Sequence, residues 1–260
     1  MTAKATLIGV LASLVLLARI GLGLYFLPRI MALSWYRGWL AENPARLDAS
    51  VLTGKTIVID AGHKGCHAGA LGPRLGLKEA DVNWEVAETL RSMLRRANPD
   101  VNVVATVGDS ITRSEDDPDG DLNLRSQLAR RAGPDLVVSV HHDAATKREP
   151  WSLWVNLTTV FYHENGSDLS RRSRLAAQCV RRRLGRYLLL PGFLIPRNDL
   201  GLLRDSHAPA IVTEASFITN PLQERLLAQP DRLRIEAYAI YHGILEYFAY
   251  QNHPAERKTR

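Results

Sequence analysis

The sequence predicts a single α/β domain with a mostly parallel twisted sheet flanked by helices, preceded by an N-terminal hydrophobic helix. Three observations predict it. Short β-branched runs alternate with helical patterns from residue 55 onward, the signature of strand–helix–strand units. The runs are apolar throughout rather than alternating, as strands buried on both faces are. An uncharged apolar stretch stands apart from this pattern at the amino terminus.

Each element has its own signal. Residues 56–60 (TIVID) form a β-branched run ending in Ala61-Gly62, a strand entering a loop. From Glu79 to Ala97, Val82, Val86, Leu90, Met93 and Leu94 recur at helical spacing. Residues 101–106 read as a strand. Residues 122–131 read as a helix stopped by Gly133-Pro134, and 135–140 (DLVVSV) as a buried strand. Residues 158–163 are a further strand, 169–187 a basic helix and 210–213 (AIVT) a strand. A final helix carries Leu233, Ala237, Ile240, Ile244 and Phe248 on one face and breaks near Pro254.

Residues 5–18 are uncharged and mostly apolar; after Arg19 the apolar character continues to Pro28. As one span this is long enough to cross a bilayer of about 30 Å; its first part alone has the length of a signal-peptide core. We read residues 1–37 as a signal-anchor or signal peptide, 38–53 as a linker, 54–250 as the catalytic domain and 251–260 as a polar tail. Positive charge is heavier after the span (Arg29, Arg37) than before it (Lys4), which by itself favours an internal body and opposes the location argued below.

Composition excludes several classes. The chain has 260 residues, 46% hydrophobic and 23% charged, which fits a globular body and not a disordered, collagen-like or polytopic membrane chain. Two cysteines, Cys66 and Cys179, are too few for a disulfide scaffold or a cysteine-rich zinc site. The net charge of +6 divides as +3 in the first 50 residues and +3 in the remaining 210. The body is thus nearly neutral, and no nucleic-acid motif accompanies it, so no nucleic-acid partner is expected.

In open α/β sheets, ligands gather beyond the carboxyl ends of the strands. His63 follows the first strand, His141 follows DLVVSV and Glu214 follows AIVT, while Glu79 opens the first helix. Two imidazoles and a carboxylate suit zinc, leaving a fourth position for water. A second carboxylate can shuttle the water's proton. His63, Glu79 and His141 fit the ligand roles, and Glu214 fits the general base.

Several ordered motifs sharpen this reading. They are residues 57–63 (IVIDAGH), Gly69-Ala70, Gly76-Leu77-Lys78-Glu79 with Asp81 and Asn83, Thr112-Arg113, Leu124-Arg125 with Ala129, Ser139-Val140-His141, and Pro209 through Glu214 and Phe217 to Asn220. Together they resemble the zinc-dependent N-acetylmuramoyl-L-alanine amidases, specifically amidase type 3, over roughly residues 55–248. The resemblance implies His63, Glu79 and His141 as ligands of one zinc ion per chain and Glu214 as catalytic acid/base. The implied reaction is hydrolysis of the amide between N-acetylmuramic acid and L-alanine of the peptidoglycan stem peptide. The implied location is the bacterial cell envelope, either membrane-anchored through the N-terminal segment and facing periplasm or wall, or exported. The sequence names no protein activator. Asn83 and Arg113 are candidate substrate contacts, Arg113 being equally readable as a structural salt bridge.

The chain departs from the family where an Asp-Pro pair is replaced by His67-Ala68 and an Asn by Asp143. His67 reads as a solvated loop residue, Cys66 as an incidental thiol, and His142 as facing away from His141 because adjacent strand residues point to opposite faces. Asp60 reads as an acceptor fixing an imidazole, or as a loop cap. The arginines of residues 171–186 read as a solvated helix face or a contact for anionic polymer or lipid. The stretch 143–157 is too short for a long covering helix, so an open site is expected, with Trp151 and Trp154 either stacking on sugar or packing under the loop. Two other functions remain open: a zinc peptidase or amidohydrolase cutting elsewhere in stem peptides, and a non-catalytic wall-binding module.

Overall fold

The protein is described from a computed structural model, which covers residues 48–108, 118–145 and 153–252. The N-terminal apolar span, Thr112, Arg113, Trp151 and residues 253–260 of the polar tail lie outside these residues. No helix among the described residues is long and apolar enough to cross a membrane.

Six strands form one sheet: β1 (Thr56–Ala61), β2 (Asn102–Ala105), β3 (Leu136–Asp143), β4 (Thr158–Tyr162), β5 (Gly192–Pro196) and β6 (Ala210–Phe217). Their order is β2-β1-β3-β6-β4-β5. All neighbours are parallel except β4 and β6, which run antiparallel. The sheet is therefore mixed, with a parallel majority. A parallel neighbour requires a crossover of a dozen or more residues, usually helical. No such helix occurs among the described residues between β3 and β4, and β4 starts at the edge of the sheet where β3 ends.

The helices are α1 (Glu79–Ala97), α2 (Pro118–Arg131), α3 (Asp168–Leu188), α4 (Gly201–Asp205), α5 (Pro221–Leu227) and α6 (Pro230–Asn252). Alternate strand residues serve opposite faces. Val58, Val137, Val212 and Phe161 join Ala129 of α2 and Leu202 and Leu203 of α4 in one apolar cluster. On the other face α6 packs against both α1 and α3. Burial of these aliphatic side chains supplies the main driving force, at about 25 cal/mol per Å² of apolar surface.

Four elements exceed the sequence reading. The strand β5 is flanked and ended by proline and glycine, which read as breakers; it survives because it is a sheet edge, and its Phe193 and Ile195 are exposed. The helices α4 and α5 are too short to show a period. Within the stretch read as linker, Asp48 caps a 3₁₀ turn (Ala49–Leu52), and Leu52 is fully buried. The Asn98 side chain donates to Ala49 O and Thr53 Oγ1, both at 2.9 Å, so the folded body begins before residue 54.

The α3–α6 contact is set by Gly243. A Cβ there would lie 2.6 Å from Val180 Cα. Alanine gains about 1 kcal/mol of helix propensity over glycine, but helix displacement costs about 1–3 kcal/mol. Gly243→Ala is expected to lower the midpoint of thermal unfolding; a rise would show that the helices do not meet here.

Candidate metal centre

The site starts from a buried aspartate. Asp60, at the end of β1, accepts hydrogen bonds from Ser139 Oγ at 2.6 Å, Arg125 Nη1 at 2.8 Å and the Thr106 hydroxyl. Burial alone would raise its pKa; the Arg125 charge and these donors reverse that and hold it below the usual carboxylate range. Arg125, itself 3% exposed, also donates to Ala61 O at 2.7 Å, Lys64 O at 2.5 Å and Asp121 Oδ2 at 2.6 Å. One guanidinium thus clamps the loop after β1 on both sides of His63. Asp60 anchors this clamp and bonds no imidazole, which corrects its first expected role and leaves the loop-fixing one. Arg125 lay in a matched motif but was not selected, because a sequence does not show which oxygens an arginine reaches.

The clamped loop holds His63 at φ 64°, a left-handed conformation uncommon outside glycine that asparagine, aspartate and histidine adopt more readily than other residues. Its carbonyl accepts from the amides of Cys66 and His67 at 3.0 and 3.1 Å. The loop before α1 is held differently. Glu224 of α5, fully buried, accepts from the backbone amides of Arg74 at 2.8 Å and Leu75 at 2.7 Å. Gly72 leaves that carboxylate its space, since a Cβ there would lie 2.0 Å from Glu224 Oε1. The only sequence trace of Glu224 is its place four residues after Asn220, and it was missed.

Glu79 is the first residue of α1 and is buried. Its Oε2 accepts from Ala70 N at 2.9 Å. Its Oε1 lies 3.1 Å from both His63 Nε2 and His141 Nδ1. Burial pushes this carboxyl up, but hydrogen bonds from the two imidazoles outweigh it and hold the pKa far below the ordinary value. His63, Glu79 and His141 each offer one ligand atom, all within 4.8 Å of one another. Cys66 does not belong to the cluster.

Two glycines make this convergence possible. A Cβ on Gly62 would lie 2.2 Å from the His141 ring, and one on Gly69 (φ +68°) would lie 2.7 Å from Glu79 Oε2 and 2.9 Å from His63 Cδ2. His67 is an exposed loop residue, as expected, and it also touches the cluster. Its Nε2 is 3.3 Å from His63 Nδ1, and its Nδ1 accepts from Gly69 N at 3.1 Å, so it abuts the far side of the His63 ring.

Glu214 is the registered partner of His141 across β3 and β6. Registered residues share a face of the sheet, and both line a cleft of about 520 Å³ with His63, Asp143 and Arg197. Glu214 Oε2 is buried with no hydrogen-bond partner among the described residues. Burial, reinforced by the charges of Asp143 and Glu79, raises its pKa well above the ordinary value. Arg197, the cation beside this cleft, is paired to Asp199 at 2.6 and 2.7 Å.

Asn83 is not at the cleft. It is fully buried and bonds Glu79, Gly62 O and His142, which corrects its expected contact with substrate. As alternation requires, His142 points to the opposite face from His141, toward α1 and α6.

Two imidazoles and a carboxylate of low proton affinity, with a carboxylate of high proton affinity beside them, fit a catalytic zinc, which takes three such donors. Residues 57–246 match the family of N-acetylmuramoyl-L-alanine amidases. The chain belongs to that family. It is 26% identical to an uncharacterized cell wall amidase of Bacillus anthracis, over 83% of this chain but 40% of that protein. It is 28% identical to the germination-specific N-acetylmuramoyl-L-alanine amidase of Bacillus subtilis, over 79% of this chain and 84% of that one. Among solved structures, the N-acetylmuramoyl-L-alanine amidase of Clostridium difficile 630 superposes with a TM-score of 0.66 at 26% identity, covering 77% of this chain and 98% of that one.

The glycine at the amidase's His141 contact gives a direct test. Gly62→Ala is expected to displace the His141 ring and weaken zinc retention by about 10-fold or more, read by competition with a chromophoric chelator. Zinc affinity equal to wild type would mean that the ring does not need this space.

Proposed function

We propose that this amidase hydrolyses the bond between N-acetylmuramic acid and L-alanine of the stem peptide, with His63, Glu79 and His141 holding one zinc ion and Glu214 moving the proton. The observation that carries the proposal is the facing of the His63–Glu79–His141 cluster by Glu214, a half-buried carboxylate on the neighbouring strand whose Oε2 has no hydrogen-bond partner among the described residues. Zinc bound there supplies a Lewis acid and a water acidified to a pKa near 7. His63 and His141 present ring nitrogens toward a common point. Glu79 supplies the negative charge of the donor set, and the amides of Ala70 and Asn83 hold its carboxylate from behind. Glu214 has the opposite character: its half-buried carboxyl accepts the proton of the attacking water and delivers it to the departing L-alanine nitrogen.

The apolar span of residues 5–28 supports a signal-anchor or export signal, and peptidoglycan as substrate supports a location in the cell envelope. Residues 54–250 are assigned to the catalytic domain on the same reading, extended by the docked residues 48–53 and the end of α6 at Asn252.

Two experiments test the proposal. Digestion of purified peptidoglycan by the protein should release intact stem peptides with a free amino-terminal L-alanine, and a zinc chelator should stop it. A cut elsewhere in the stem would favour a different zinc peptidase; stoichiometric zinc without any cut would favour a module that only binds. Glu214→Gln should keep stoichiometric zinc and lower kcat by about 10²–10⁴; near-normal turnover would remove Glu214 from the proton path.

A further inference from the structure

Behind the cluster, on the face of the sheet away from the cleft, four buried polar residues form a continuous chain. Asn83 Nδ2 donates to Glu79 Oε1 at 3.2 Å and to Gly62 O at 3.1 Å. Both amide hydrogens are thereby used toward the cluster, and Asn83 Oδ1 accepts from His142 Nδ1 at 2.9 Å. His142 Nε2 lies 3.1 Å from Glu236 Oε2, and Arg232 Nη1 donates to the same oxygen at 3.0 Å. Exposure is 0% at Asn83 and Glu236, 1% at His142 and 4% at Arg232. The chain runs from the first turn of α1, across β3, to the first turns of α6.

Stability does not explain this arrangement. Buried ionic groups lose their hydration, and apolar residues of similar volume in their place are commonly neutral or stabilising. What the chain does is fix one atom. Glu79 Oε1 is the oxygen that both imidazoles approach, and from behind it meets Asn83 Nδ2 and the His142 amide at 3.3 Å. The dipeptide His141-His142 adds to this, since one ring enters the cluster while the next anchors the same strand to α6.

We propose that Asn83, His142, Glu236 and Arg232 form a positioning relay that aims the Glu79 carboxylate at the metal, with its far anchor in α6. Groups that hold a metal ligand from behind fix its orientation and tune affinity, commonly by about 10- to 100-fold. The relay rests on the zinc reading above. It adds that α6, whose residues lie outside the cleft, contributes to metal affinity.

The test uses the full chain and two measurements: zinc affinity by chelator competition, and thermal unfolding of the zinc-free protein. Glu236→Gln removes the charge at the centre of the relay. The triple variant His142→Phe, Arg232→Met, Glu236→Leu replaces the ionic part with apolar groups and leaves no buried charge unpaired, so it keeps the fold if Glu236→Gln does not. Zinc affinity is expected to fall about 10-fold or more in each folded variant, while the zinc-free triple variant unfolds within a few degrees of wild type or above it. Wild-type zinc affinity in the folded triple variant would overturn the relay alone and leave the four residues as packing. A wild-type protein with no zinc affinity would overturn the ligand assignment, and the relay with it.

Discussion

The structure is organised around one buried carboxylate. Glu79 lies where the loop after β1, the end of β3 and the start of α1 meet. A carboxylate withdrawn from water is costly unless its lone pairs are filled. Here Oε2 takes a backbone amide and Oε1 takes two imidazoles and the Asn83 amide. The demand for partners therefore fixes three chain segments relative to one another. Two of those partners, His63 and His141, converge with Glu79 as candidate ligands.

Two glutamates with opposite behaviour follow from this arrangement. Glu79 is buried and Glu214 half-buried, and burial pushes both toward the protonated form. Glu79 is surrounded by donors, which reverse the effect. Glu214 has no donor on its inner oxygen and faces Asp143 and Glu79, which add to it. A site that needs one group to stay charged and another to carry a proton obtains both from the same residue type. Strand register brings them together, because His141 and Glu214 are partners on one face.

Buried charged side chains hold the loops that deliver His63 and Glu79. His63 sits in the left-handed region, which persists where the surroundings over-determine it. Arg125 binds carbonyls on both sides of it, and Glu224 binds successive amides of the second loop. Neither residue touches the cluster, yet each sets the path of a segment that enters it.

The sequence by itself determined the strand-and-helix alternation, the limits of α1, and His63, Glu79, His141 and Glu214 as chemically matched groups at strand ends. These were legible because burial imposes periodicity, and because metal and proton chemistry require particular residue types at the carboxyl edge of a sheet. Alternation required that His141 and His142 face opposite ways, and the match to the family's motif chose His141 as the ligand. Tertiary structure decided what depends on distance in space. It drew Asn83 under the metal cluster instead of into the cleft, gave Asp60 to Arg125 instead of to an imidazole, and set His67 against His63. It also folded β5 from a segment that reads as a break and docked residues 48–53 on the body. In each case the deciding partner is distant in sequence or the element is too short to show a period. A linear pattern carries no record of which buried polar group must satisfy which.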